Sequence, residues 1–368
     1  MTAKHLRRIV IFALLVLVLL SYLCAVYTSP YGRRGDLTRE RFNTYYSIPE
    51  GAVDGIILGT SGVDRYWLGA LGWKEEGITM FPLSSGHQPM FLTKFVIEEA
   101  LKHQPDIKTI VIEVRNATQS PKEVQDADVR RVVENMRPSP NRFKATKYAM
   151  DYLDEIGCTT VDTSDISHYF TLAKYHAGWK DYKLKDYFNL YPKTPYLGYQ
   201  VARGYMYVSR PEEPTVVTDE TTTLDKDAED MLNDLMDYCE TLDAKVIFIA
   251  TPQSADALTQ MQLNTALQLA ASRGFDTINF NTDEMYDKIG WNFDEDQYNI
   301  NHANFYGAVK FTRYFARYMK ENYNMPDRRQ DADQSQYATF DDAYYATLEQ
   351  VKDHAPEYYD KMFGNNER

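Results

Sequence analysis

The sequence predicts an α/β fold built on a central parallel sheet with helices on both faces. Three observations predict it. Four short apolar runs, Asp54–Gly59, Lys108–Val114, Lys245–Ala250 and Phe275–Phe280, have the length and composition of buried strands. Amphipathic stretches alternate with them, and that alternation is the signature of a doubly wound sheet. Two of the runs stop at turn residues, Gly59 and the pair Thr251-Pro252. In such folds ligands bind beyond the carboxyl ends of the strands, so the residues just after each strand matter most.

Each element can be justified in turn. Phe91–His103 places Leu92, Val96, Ile97, Ala100 and Leu101 on one side of a helix. Lys94, Glu98, Glu99 and Lys102 fall on the other. Helices are also expected at Leu224–Leu242, Ala255–Ser272 and Asn304–Asn322. The stretch from Asn116 to Thr223 breaks the alternation. It is rich in Tyr, Lys, Asp and Pro, with helical pieces near Glu123–Met136 and Arg142–Ile156, and it reads as an insertion or cap over the sheet. Pro211–Asp219 reads as a loop, and Asp341–Val351 as a helix in a polar, acidic tail.

Composition narrows the function. The net charge of −13 over 368 residues argues against a nucleic-acid binder, which needs basic charge to neutralise phosphates. Three cysteines exclude a disulfide scaffold and a Cys-rich zinc module, and no cofactor motif is present. The 29 tyrosines suit either core packing or a sugar-binding surface, with core packing the more general explanation.

Ile9–Tyr27 is an uncharged run close to the roughly 20 apolar residues a membrane-spanning helix needs. Lys4, Arg7 and Arg8 precede it, while Arg33, Arg34, Arg39 and Arg41 follow it, so local charge does not fix orientation. A short tail before a long domain favours a cytoplasmic N-terminus. A cleaved signal peptide is the competing reading, but the run is long for one and no clean small-residue cleavage site follows. Cys24 invites a lipoprotein reading that the bulky Leu23 disfavours. The expected organisation is a cytoplasmic tail (1–8), an anchor (9–27) and a stalk (28–50). An extracytoplasmic domain (51–325, with the insertion at about 116–223) and an acidic extension (326–368) complete it. Cys158 and Cys239 could meet there, though nothing in their spacing pairs them.

Ser61 lies in the turn Leu58-Gly59-Thr60-Ser61-Gly62, just past the first strand. A serine so placed exposes its hydroxyl and can aim its own N–H at an oxyanion; it can equally cap the next helix. His302 lies in Asp296-Gln-Tyr-Asn299-Ile-Asn-His302, a polar loop before an amphipathic helix. Histidine is the side chain best matched to general-base work at neutral pH. Asp296 or Asn299 is close enough to orient its ring, although a helix cap is also plausible there. Leu83-Ser-Ser-Gly86-His87-Gln-Pro89 is a turn whose backbone N–H groups could complete an oxyanion hole.

A serine turn after the first strand, a glycine loop after the next element and a late histidine before the last helix resemble the SGNH (GDSL-like) hydrolase superfamily. The chain is most similar to its membrane-anchored branch, the DltD-like proteins of Gram-positive envelope biosynthesis. The segments that carry the resemblance are GIILGTSGVDRYW, GITMFPLSSGHQPM, HQPDIKTIVIEV, YHAGW (Tyr175–Trp179) and NINHANFYGAVKFTRY. The resemblance implies a flavodoxin-like α/β/α sandwich and Ser–His chemistry on acyl esters of an envelope polymer, teichoic acid or polysaccharide. It further implies either hydrolysis or O-acyl transfer, with a membrane-bound O-acyltransferase as partner.

By the same resemblance, Ser61 is the nucleophile and His302 the base. Gly86, or the His87 N–H if Gln88-Pro89 shifts the register, is the second oxyanion donor. Asn116 stands where the superfamily places an oxyanion asparagine, without the flanking Gly-x-Asn-Asp pattern. The departure is at Asn299, where the superfamily usually has Asp. A neutral amide can orient the ring but does less for the imidazolium. The rival expectation is therefore a catalytically reduced envelope assembly or glycan-binding protein on the same fold.

Overall fold

A computed structural model of the chain describes residues 2–27, 37–199 and 212–364. Five parallel strands form one sheet in the order β2-β1-β3-β4-β5. They are β1 (Gly55–Leu58), β2 (Met80–Pro82), β3 (Thr109–Glu113), β4 (Lys245–Ala250) and β5 (Asp276–Asn279). The register aligns Ile56 with Ile110 and Ile110 with Val246, so the strand ends finish almost level. The four expected strands are all present and parallel. The edge strand β2 was not foreseen, because three residues of mixed character carry no periodicity.

Residues alternate between the two faces, and each face has its own apolar cluster. Ile56, Leu58, Ile110, Ile112 and Phe248 pack with helices Thr93–His103, Lys226–Cys239 and Ala257–Ser272. Ile57, Val111, Ile247, Ile249 and Ile278 pack with helix Phe305–Tyr323 through Phe311, Phe315 and Met319. The expected insertion contributes helices Asp126–Val133 and Pro140–Glu155. Their residues Val129, Val133, Ala145 and Leu153 join the first cluster, so this part is packed into one face of the domain.

Two expected boundaries need correction. Of the expected stalk, residues 28–36 lie outside the described residues, but Thr38–Tyr45 is a helix with Arg41, Phe42 and Tyr45 wholly buried. The polar letters of this stretch concealed the reason: the Arg41 guanidinium donates to the carbonyls of Ser84 and Gly198 and pairs with buried Asp64 at 2.8 Å. The acidic extension is likewise integrated as far as it is described. Helix Ala338–His354 buries Phe340 and Val351, and Arg328 pairs with Asp54 at the start of β1.

The N-terminal helix Ala3–Val26 has a mean hydropathy of 3.1 over its most apolar 18 residues and is almost entirely exposed there. It is long and apolar enough to span a membrane or to serve as a signal sequence. Cys24, Cys158 and Cys239 are free thiols.

Candidate active site

The chemistry gathers at the carboxyl ends of β1 and β3. After Leu58 the chain turns at Gly59, whose φ of +144° suits glycine, and where a side chain would lie 2.8 Å from the Glu113 Cβ. Thr60 then caps a short helix, Ser61–Asp64, by accepting from the Gly62 N–H at 3.1 Å. Ser61 opens that turn, where backbone N–H groups lack intrahelical acceptors. Capping and exposure of the hydroxyl, which the sequence posed as alternatives for Ser61, are thus divided between Thr60 and Ser61.

His302 arrives from the other end of the chain. Gln297–Asn299 (β6) and His302–Ala303 (β7) form a small antiparallel hairpin in which Asn299 and His302 are direct cross-strand partners. Directly opposed side chains touch, which is how a spacing of three residues puts the amide against the ring. Asn299 Oδ1 accepts from the Asn301 N–H at 3.0 Å and lies 2.8 Å from His302 Nδ1. An oxygen already receiving one N–H is an acceptor, so Nδ1 carries the ring proton. Nε2 is then free to accept, and Ser61 Oγ lies 2.7 Å from it across 241 residues of sequence.

Asp296, the alternative orienting residue, does not reach the ring. It is fully buried, with Oδ2 accepting from Lys310 Nζ at 2.9 Å and from the Asn292 N–H at 2.6 Å. Burial pushes its carboxyl upward, and Lys310 pulls it back. It faces helix Phe305–Tyr323, whose Gly307 sits so close that a side chain there would lie 2.2 Å from the Asp296 carbonyl oxygen.

The expected oxyanion residues are placed unequally. The Ser85 N–H donates to the Gly59 carbonyl at 3.3 Å, which holds the Gly86–His87 loop beside the serine turn. His87 takes a left-handed φ of 52°. The Gly86 carbonyl accepts from Arg131. Asn116 donates to the Gln88 carbonyl at 2.7 Å, so its amide ties the β3 end to the glycine loop. That makes Asn116 a brace for the loop, with one N–H already committed.

Glu113 and Arg115 were not singled out from sequence. Glu113 is buried at the end of β3 and accepts from Thr60 Oγ1 at 3.1 Å and from the Arg115 N–H at 3.0 Å. Burial raises its pKa against the pull of Arg115 and Thr60. The Arg115 guanidinium donates to the Asn301 carbonyl at 2.6 Å and to Thr251 Oγ1 at 3.0 Å. One side chain thereby joins the ends of β3 and β4 to the hairpin that carries His302. The signal was available: a Glu and an Arg stand where an apolar strand run ends.

Burial, together with the charges of Arg115, Arg65 and His87, lowers the His302 pKa to about 3. The ring is therefore neutral at any physiological pH, which is the form a general base needs. The group that meets its Nδ1 is the neutral Asn299 amide, where Asp296 would have supplied a carboxylate. Among the described residues, no group of three or more His, Cys, Asp or Glu is placed to hold a metal ion. Comparison with family models, with curated proteins and with solved structures found no match to this chain.

Proposed function

We propose that the chain is an extracytoplasmic Ser–His esterase or O-acyltransferase of the SGNH type, anchored by its N-terminal helix and acting on acyl esters of a cell-envelope polymer. The observation that carries this reading is the chain Ser61–His302–Asn299, with contacts of 2.7 and 2.8 Å. The strand order is that of flavodoxin-like sheets, and the site lies at the strand ends where such folds bind ligands. In the reaction, Ser61 Oγ attacks the acyl carbonyl while its proton passes to His302 Nε2. Asn299 keeps the ring aligned through Nδ1–H. The Ser61 N–H and the backbone of the Gly86–His87 loop hold the oxyanion. The ester bond breaks as His302 returns the proton to the leaving oxygen, leaving acyl-Ser61. Water or a polymer hydroxyl then gives its proton to His302 and takes the acyl group, and His302 passes that proton to Ser61 Oγ as the acyl–oxygen bond breaks. By resemblance, a membrane-bound O-acyltransferase supplies the acyl group across the bilayer.

The test is incubation of the full chain with an activated acyl ester, with and without a soluble envelope polysaccharide. Release of free acid or labelling of the polymer, lost in Ser61→Ala, is expected. The absence of both from a folded protein contradicts the reading.

The neutral Asn299 favours a second reading, a glycan-binding assembly protein on the same fold. Glycan binding unchanged by Ser61→Ala, with no turnover, would select it.

A further inference from the structure

The segment 166–191, with Phe143 packed against its Tyr169, carries exposed apolar side chains that the proposed chemistry does not use. Leu184, Phe188 and Ile166 are 75%, 80% and 71% exposed, and Phe143, Trp179 and Tyr191 are also exposed. Single apolar residues on a surface need no explanation, but a cluster on one segment does. This cluster is fastened to the end of the N-terminal helix. Tyr22 OH donates to the Tyr187 carbonyl at 2.8 Å, and Thr171 Oγ1 donates to the Cys24 carbonyl at 3.2 Å. Arg39 donates to both the Ala25 and Leu190 carbonyls.

Helix geometry then fixes the depth. At ~1.5 Å per residue, Ile9 to Tyr27 rises about 27 Å, close to the ~30 Å hydrocarbon core it would have to cross. Nearly the whole helix is therefore needed to span. Leu17 and Leu20 line a cavity of about 410 Å³ together with Phe143, Tyr169 and Phe170 of the domain. The same cavity continues along the helix to Cys24 and Ala25 and is also lined by Arg39, Glu134, Arg137 and Arg142, so Phe143, Tyr169 and Phe170 lie along the outer half of the helix among charged side chains. The charge fits a lipid surface as well. Residues 165–193 carry five lysines against three aspartates, within a chain of net charge −13.

We propose that Phe143 and the segment 166–191 form a second, monotopic membrane contact, immersed in the extracytoplasmic leaflet beside the anchor. Lys180, Lys183, Lys185 and Lys193 engage anionic phospholipid headgroups. The pairing of exposed apolar side chains with a lysine rim is that of interfacial membrane segments. This inference rests on the anchor reading; it would fix the domain's height and tilt against the bilayer instead of leaving it on a flexible stem.

Trp179 provides the probe, because Trp67, Trp73 and Trp291 are buried. The full chain is reconstituted in vesicles of phosphatidylcholine, with or without phosphatidylglycerol, and flotation is scored first. The Trp179 emission is obtained by subtracting the Trp179→Phe protein. Doxyl-labelled lipid should quench it and aqueous iodide should not. Quenching should be stronger with phosphatidylglycerol, and the Lys180, Lys183, Lys185 and Lys193→Gln variant should lose that difference. Flotation with Trp179 open to iodide overturns the contact while leaving the anchor intact. Shielding from both quenchers assigns the face to a second copy of the chain and also overturns it. Equal quenching in both lipid mixtures overturns the headgroup preference. Failure to float removes the anchor reading and this one together.

Discussion

Asn299 and Asp296 stand three residues apart beside the same hairpin and do opposite work. Asn299 is half-buried, uncharged and hydrogen-bonded to the ring of His302. Asp296 is buried, paired with Lys310, and packed against the start of helix Phe305–Tyr323. The acid that could have steadied an imidazolium is spent on fastening the hairpin to helix Phe305–Tyr323. The residue that touches the ring is an amide, set among the cations Arg115 and Arg65. Proximity in sequence did not decide which residue serves the histidine. Strand pairing did, because it places Asn299 opposite His302 and turns Asp296 away.

The comparison can be broken most severely at the dyad. If the proposed reaction holds, Ser61→Ala and His302→Ala should each lower ester turnover by about 10⁴-fold or more, and the double variant should be no worse than either. Steady-state hydrolysis of an activated ester measures this. Asn299→Ala should follow with a loss of about 100-fold in kcat, because the ring loses both its tautomer and its alignment. Asp296→Ala should leave kcat per folded molecule within about threefold. It should still lower unfolding free energy in urea by about 2 kcal/mol, since Lys310 is left partly buried without its partner. A larger loss for Asp296→Ala than for Asn299→Ala would reverse the assignment.

Asn299→Asp sharpens the same contrast. The Asn301 N–H can serve a carboxylate as it serves the amide, and the new charge faces the imidazolium. Turnover near pH 8 should rise about tenfold. The pH profile separates the proteins further. In the wild type, His302 stays neutral down to about pH 3, so it contributes no acid limb between pH 8 and pH 5. In Asn299→Asp its pKa rises and an acid limb moves into that window. The lowered pKa also carries a stability sign. Unfolded histidine takes a proton near its ordinary pKa of about 6.5 that the folded ring refuses. The folded state therefore loses stability as pH falls below that value, and His302→Gln should flatten the dependence. Urea titrations at pH 5 and 7.5 test it.

The sheet was legible because its central strands are apolar on both faces and two of them end in turn residues, as Ile56–Leu58 before Gly59 and Val246–Ala250 before Thr251-Pro252 show. Ser61 and His302 were legible for a related reason: each follows or precedes an element with a clear start. The buried helix Thr38–Tyr45 was not, because its burial depends on Arg41 finding Asp64 and two carbonyls, which composition reads as polarity. The roles of Glu113 and Arg115 were equally hidden. The charged pair at the end of an apolar strand run marks the position, but each acts on a residue distant in sequence, Thr60 in one case and Asn301 in the other, which only the fold reveals. Asn116 was noticed for its position past β3, but its amide is directed at Gln88, a contact only the folded loops define.

The central claim is that Ser61 is activated by His302. It is tested most directly by treating the intact chain with a fluorophosphonate at pH 8 and mapping the adduct by mass spectrometry. The account predicts a single phosphonylated residue, Ser61, and at least a 100-fold slower reaction in His302→Ala. An unlabelled Ser61, or equal labelling with and without the histidine, would contradict it.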